Sequence, residues 1–149
     1  MKKLIVVLVC LGGMPSVKAQ TEKEGVVATI QTFFAAMKNA DTLKLKSTLA
    51  STAMLQTIVN NGGDVQVKDE PFTDFIAMVS KMAPGDADEQ IEIGNISMDD
   101  DLASVWTPYH FYYKGKLYHC GVNSFQLVKI ANSWKIQYII DTRRKESCN

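Results

Sequence analysis

Apolar residues recur along this chain with two different periods. From Val26 they stand at Val26, Val27, Ile30, Phe33, Phe34 and Met37, a spacing that predicts an early helix with one bulky face. Thr21, with Glu24 three residues later, reads as a capping box at its start. Asn39-Ala40-Asp41 interrupts the period, and Asp41 is placed to cap a short second helix carrying Leu45 and Leu49. Residues 53–60 and 65–68 flank Asn61-Gly62-Gly63-Asp64 and read as a hairpin. Pro71 opens a third helix with the stripe Phe72, Phe75, Ile76, Val79 and Met82, and Pro84-Gly85-Asp86 ends it. The period then becomes two. Residues 89–97, 102–113, 117–130 and 134–142 read as strands, joined by Asp99-Asp100-Asp101 and by hairpin turns at Lys114-Gly115 and Asn132-Ser133.

Helix, helix, hairpin, helix and four antiparallel strands make an α+β domain with its helices on one sheet face. Strands this long twist, so the sheet is expected to curl. The two turns fix a register in which His110 faces His119, Trp106 faces Asn123, Phe125 faces Ile140 and Asn123 faces Thr142. Directly opposed residues share a face. The helix-facing set is then Trp106, His110, Tyr112, His119, Asn123, Phe125, Leu127, Ile136, Tyr138, Ile140 and Arg144, with Asp141 and Arg143 on the other side. One element of the pattern conflicts with this map. On strand 102–113 the odd positions Val105, Tyr109 and Phe111 are as apolar as the even ones, and Pro108 marks an expected bulge that would reverse the phase.

The first nineteen residues stand apart from both periods. Lys2 and Lys3 precede an apolar run of ten residues, and Val17-Lys18-Ala19 follows, which predicts a secretory signal peptide cleaved after Ala19. Ten apolar residues fall short of the roughly 20 that span a bilayer. The expected organisation is residues 1–19 as signal peptide and 20–149 as one domain, periplasmic or secreted. Loss of Lys2, Lys3 and Lys18 leaves 13 basic against 16 acidic residues, a net charge of −3. No basic patch remains, so neither nucleic acid nor, after cleavage, a membrane surface is an expected partner.

Candidate chemistry is sparse. Cys120 and Cys148 both lie beyond the cleavage point and form a disulfide candidate in an oxidising compartment. His110 and His119 are the only histidines. Facing inward they would offer a general base; at the sheet rim they would be hydrogen-bonded or wet. Without a carboxylate neighbour they make a poor metal site, and no metal or cofactor is expected. Trp106, Tyr109, Phe111, Tyr112, Tyr113 and Tyr118 wall a pocket, fill a core or face a partner. Asp141-Thr142-Arg143-Arg144 reads as an anion site, as a catalytic carboxylate set by the arginines, or as a solvated strand end. Glycine-rich phosphate loops and a nucleophile-elbow motif are absent.

The order of elements, the helix Ile30-Gln31-Thr32-Phe33-Phe34-Ala35-Ala36-Met37 with Asp41 after it, and the blocks Val105-Trp106-Thr107-Pro108-Tyr109, Phe125-Gln126-Leu127-Val128-Lys129 and Trp134-Lys135-Ile136 resemble the nuclear transport factor 2-like superfamily. Within it they resemble the small secreted branch related to lumazine-binding and polyketide-cyclase-like domains. The resemblance implies a cone-shaped, curved antiparallel sheet with the three helices packed on its concave face and a pocket between them. It leaves function open, since the superfamily holds isomerases, dehydratases, cyclases, transport adaptors and binding domains. The expected function is an exported domain binding a small, partly apolar ligand, with Phe33, Phe34, Trp106, Tyr112, His110, His119, Asn123, Phe125 and Arg144 around it. The alternatives are a lyase or isomerase using a pocket histidine, and a module that forms a homodimer through the outer sheet face.

Overall fold

The computed structural model describes residues 16–148. The basic start and apolar run of the expected signal peptide lie outside the described residues. Three helices, α1 (Ser16–Lys38), α2 (Thr42–Ser47) and α3 (Phe72–Val79), pack on a seven-stranded sheet. Its strands are β1 (Leu49–Asn61), β2 (Asp64–Asp69), β3 (Ala87–Ile91), β4 (Ile96–Asp99), β5 (Leu102–Tyr113), β6 (Lys116–Ile130) and β7 (Ser133–Arg144). The sheet runs β2-β1-β7-β6-β5-β3, with β4 continuing on β5 beyond β3. It is curved and unclosed, and every pair is antiparallel except β1 with β7.

Local chemistry accounts for most boundaries. Asp41 caps α2, its side chain accepting from the Lys44 amide at 2.9 Å. Helix α1 runs upstream of Thr21, so the predicted capping box is interior: Glu24 accepts instead from Gln20 one turn earlier. Pro71 is the residue before α3 rather than its first residue. The expected strand 89–97 divides into β3 and β4 where Gly94 lies against β5. Its amide donates to the Trp106 carbonyl at 2.9 Å, and a Cβ there would stand 2.6 Å from that oxygen.

Phe33, Phe34, Ile30 and Val26 of α1 meet Val105, Phe125, Leu127, Ile136 and Ile139 of the sheet, with Leu45 and Val79 from α2 and α3 closing the core. Trp134 is held by α1, its Nε1 donating to Glu22 at 3.0 Å.

Two one-residue irregularities decide which side chains face that core. Strands β5 and β6 leave the Lys114-Gly115 turn in the predicted phase, with Tyr112 opposite Leu117. Tyr118 then has no partner, and from Phe111 opposite His119 onward the register is moved by one. The second turn is Ala131-Asn132, both in the left-handed region, not Asn132-Ser133. Leu127 pairs with Ile136, Gln137 is skipped, and Gln126 pairs with Tyr138. The face toward the helices therefore keeps His119, Asn123, Phe125, Leu127 and Ile136 as expected. It exchanges Trp106, His110, Tyr112, Tyr138, Ile140 and Arg144 for Tyr109, Phe111, Ile139, Asp141 and Arg143. The bulge expected at Pro108 stands nearer the hairpin end, at Tyr118 on the partner strand.

Candidate functional site

Rows of paired residues cross the concave face. Val105, Phe125 and Ile139 form one sealed row. The next row toward the β5–β6 hairpin is Thr107, Asn123 and Asp141. After it come Tyr109, Gly121 and Arg143, and then Glu89, Phe111 and His119. The row that turns polar marks the floor of a cavity of about 490 Å³. Its walls are apolar and soft: Phe75, Met78, Val79 and Met82 from α3 and the turn after it, Met37 from α1, and Phe111, Tyr113 and Tyr118 from the sheet. Glu70, Glu89, His119, Asp141 and Arg143 supply its polar groups.

Those polar groups are connected. The Arg143 guanidinium donates to Asp141 Oδ2 at 2.8 Å and to Glu70 at 2.7 Å. Burial works against its charge, but the bonds to Glu70 and Asp141 more than offset this and hold it above its ordinary value. Glu89 accepts from Asn123 Nδ2 at 2.8 Å. Burial pushes the Glu89 carboxyl up to about 7; the Asn123 bond lowers it, the Asp141 charge raises it and Arg143 lowers it. At neutral pH this carboxyl is divided between its two forms.

Tyr109 reaches across β6 to β7. Its hydroxyl lies 2.9 Å from the Thr142 carbonyl, 3.1 Å from His119 Nδ1 and 3.4 Å from Asp141 Oδ2. Burial, then the Asp141 and Glu89 charges, hold the phenol well above its ordinary value, so it keeps its proton. We assign that proton to the Thr142 carbonyl, the shortest contact, and the His119 bond to a donating Nδ1–H. Gly121 makes the crossing possible: a Cβ there would stand 1.8 Å from the Thr142 carbonyl and 3.0 Å from the Tyr109 ring. His119 stacks on Phe111 at 4.9 Å between ring centres. Burial, then the positive charge of Arg143, lowers its pKa to about 4, so it is neutral at pH 7.

The model of the protein family described as "Putative lumazine-binding" matches residues 21–138. The chain belongs to this family. Solved structures described as nuclear transport factor 2-like share its fold. A protein of unknown function from Shewanella baltica OS155 superposes with TM-score 0.67 at 14% identity, over 85% of this chain and 97% of its own. One from Silicibacter pomeroyi DSS-3 gives 0.66 at 18%, over 85% and 98%. A domain with a cystatin-like fold from Nostoc punctiforme PCC 73102 gives 0.64 at 12%, over 85% and 80%. At these identities the likeness shows the fold alone. No curated protein matches the chain in sequence.

In this nuclear transport factor 2-like domain the nine expected ligand residues separate by face. His119 lines the cavity. Phe33, Phe34, Asn123 and Phe125 line a small inner recess of about 50 Å³ that shares Glu89, Asp141 and Arg143 with it. Trp106, Tyr112, His110 and Arg144 lie on the opposite face. Trp106 is 53% exposed, and His110, Cys120 and Arg144 form one outer row. Cys120 is bridged to Cys148, with Cα atoms 5.6 Å apart, and the returning tail places the Cys148 carbonyl 3.3 Å from His110 Nε2. The two histidines thus face opposite sides of the sheet. Glu89, Asp141, Arg143 and Glu70, which share the cavity with His119, were not among the expected ligand residues. The alternating apolar odd positions Tyr109 and Phe111 were the signal that could have found them. Among the described residues no three His, Cys, Asp or Glu side chains gather in a metal-holding group, and no helix is long and apolar enough to cross a membrane.

Proposed function

We propose that this domain is exported and binds a small, partly apolar molecule in the cavity between α1, α3 and the concave sheet face. The observation that carries the reading is the cavity itself. A space of about 490 Å³ with methionine and aromatic walls and a connected polar floor is the build of a small-molecule site, which runs to roughly 300–1,000 Å³. Export is supported by the Lys2-Lys3 start, the apolar run and the Ala19 box, and by a disulfide that suits an oxidising compartment. The family's description makes a flat heterocycle such as lumazine a first candidate shape. Binding is favoured over proton abstraction by His119, because a histidine titrating near 4 is a weak base at pH 7.

The test is fluorescence titration with N-phenyl-1-naphthylamine, a neutral apolar dye, with lumazine alongside it. We expect saturable one-to-one enhancement of the dye, lost in Met82→Trp, which fills the cavity from its half-buried wall. No saturation, or saturation indifferent to Met82→Trp in a folded variant, would overturn the reading. A second copy of the chain is the partner that suits the outer face, where Trp106, Met54 and Leu102 are about half exposed. Light scattering of wild type against Trp106→Lys reads this out, a dimer that becomes a monomer being the expected result.

A further inference from the structure

Asp141 is only 6% exposed, yet its Oδ1 has no hydrogen-bond partner. Its other oxygen already receives Arg143. Thr57, opposite it across the β1–β7 pair and 3% exposed, has an unpartnered Oγ1 as well. Buried polar atoms are ordinarily bonded, and Asp141 lines the cavity, so its orphan oxygen calls for a donor from outside the chain. The charge balance says which kind. Glu70, Glu89 and Asp141 face one cation, Arg143, and both oxygens that Arg143 holds are acidic. Phe75, Phe111, Tyr113 and Tyr118 add aromatic surface, which attracts a cation at its faces. Lys114 and Lys145 already lie over the outer rings, Tyr113 and Tyr118, each 5.5 Å from the ring centre.

Resting on the cavity reading above, we propose that the ligand is a cation: a protonated amine on an apolar, ring-sized body, its ammonium donating to Asp141 Oδ1 and to Glu89. Glu89 is faced by Asn123 and His119 from β6, Tyr109 from β5, Asp141 and Arg143 from β7, and Glu70 after β2. The α1 and α3 side chains that line the cavity carry no charge. Ammonium binding favours ionised Glu89, so the complex forms with release of its proton to solvent and tightens as pH rises through about 7.

Calorimetric titration of the folded protein with tryptamine, 3-methylindole and indole-3-propionate compares one body carrying a positive, neutral and negative group. At pH 8 tryptamine is expected to bind about tenfold or more tighter than indole-3-propionate, with 3-methylindole between them. Between pH 6 and pH 8 its affinity should rise several-fold, and Glu89→Gln should abolish that rise. Asp141→Asn should reduce the preference for the amine to about threefold or less; if it does not fold, the wild-type series and Glu89→Gln carry the test. Equal or reversed order among the three ligands overturns the proposal. If the neutral dye still binds in that case, the cavity reading survives and only the cation fails. If the dye fails too, both fall.

Discussion

The two halves of the concave face are built from the same three strands and end as opposites. Around Phe125 the rows are closed: Phe125, Leu127, Ile136, Ile30 and Val26 are fully buried, and Phe33 and Phe34 meet the Phe125 ring edge-on at 6.5 and 5.9 Å. One row further, Asn123 and Asp141 replace Phe125 and Ile139, and the space beyond them is open. The sealed half contributes apolar burial, while the open half leaves buried polar atoms unpaired. Stability and recognition are thus segregated along the strands rather than between domains, and substitutions in each half should report on different quantities.

The sharpest way to break the contrast is Phe125→Ala, which empties the sealed half. It should destabilise the protein by about 3–5 kcal/mol in urea unfolding, the range for a large buried ring. Next is Cys148→Ser. The bridge closes a span of 28 residues, and its loss should cost about 3.5 kcal/mol in the chain-entropy model. Because Cys120 lies on the outer face, dye binding inside should be unchanged by that substitution. The smallest effect is Glu89→Gln in the open half. Glu89 titrates near 7 when folded and at 4.5 in its ordinary state, so its contribution is present below 4.5 and lost as pH rises through 7. Glu89→Gln should therefore leave stability unchanged near pH 4 and raise it by roughly 1–3 kcal/mol at pH 8 in paired melts. His119 has the opposite sign. Its folded value near 4 lies below 6.5, so stability is lost as pH falls below about 6.5, which flattens the wild-type profile between 4.5 and 6.5.

The elements and the sealed half were legible because periodicity reports burial directly. The α1 stripe, the α3 stripe, the limits of β5 and the Lys114-Gly115 turn all stand where the pattern puts them. The open half was largely illegible, because strand phase is a running count in which one unpaired residue reverses every later assignment. Tyr118 and Gln137 carry no mark of being skipped; only the tertiary fit selects them. So Asp141 and Arg143 read as an anion site or a solvated strand end on the outer face, and Trp106 and His110 read as pocket walls. Phase on β6 was read correctly along the stretch from His119 to Leu127, which is why His119, Asn123 and Phe125 fall on the expected side. The division of 89–97 into two strands depends on Gly94 touching a carbonyl of another strand, a contact that local sequence does not express.

The skipped residues Tyr118 and Gln137 also bear on how such a domain changes over time. Deleting either one closes the bulge and leaves every flanking pair and its face as it is, because that residue already stands outside the ladder. One residue inserted opposite it has the reverse effect: the two pair, and the strand segment on one side of them turns over. A lineage can therefore trade inner lining for outer surface in a single length change, without altering any side chain that lines either. Point substitution would need several coordinated steps to travel the same distance. In this architecture a skipped residue marks a place where a deletion inside a strand is silent and an insertion across from it is a short route between one binding specificity and another.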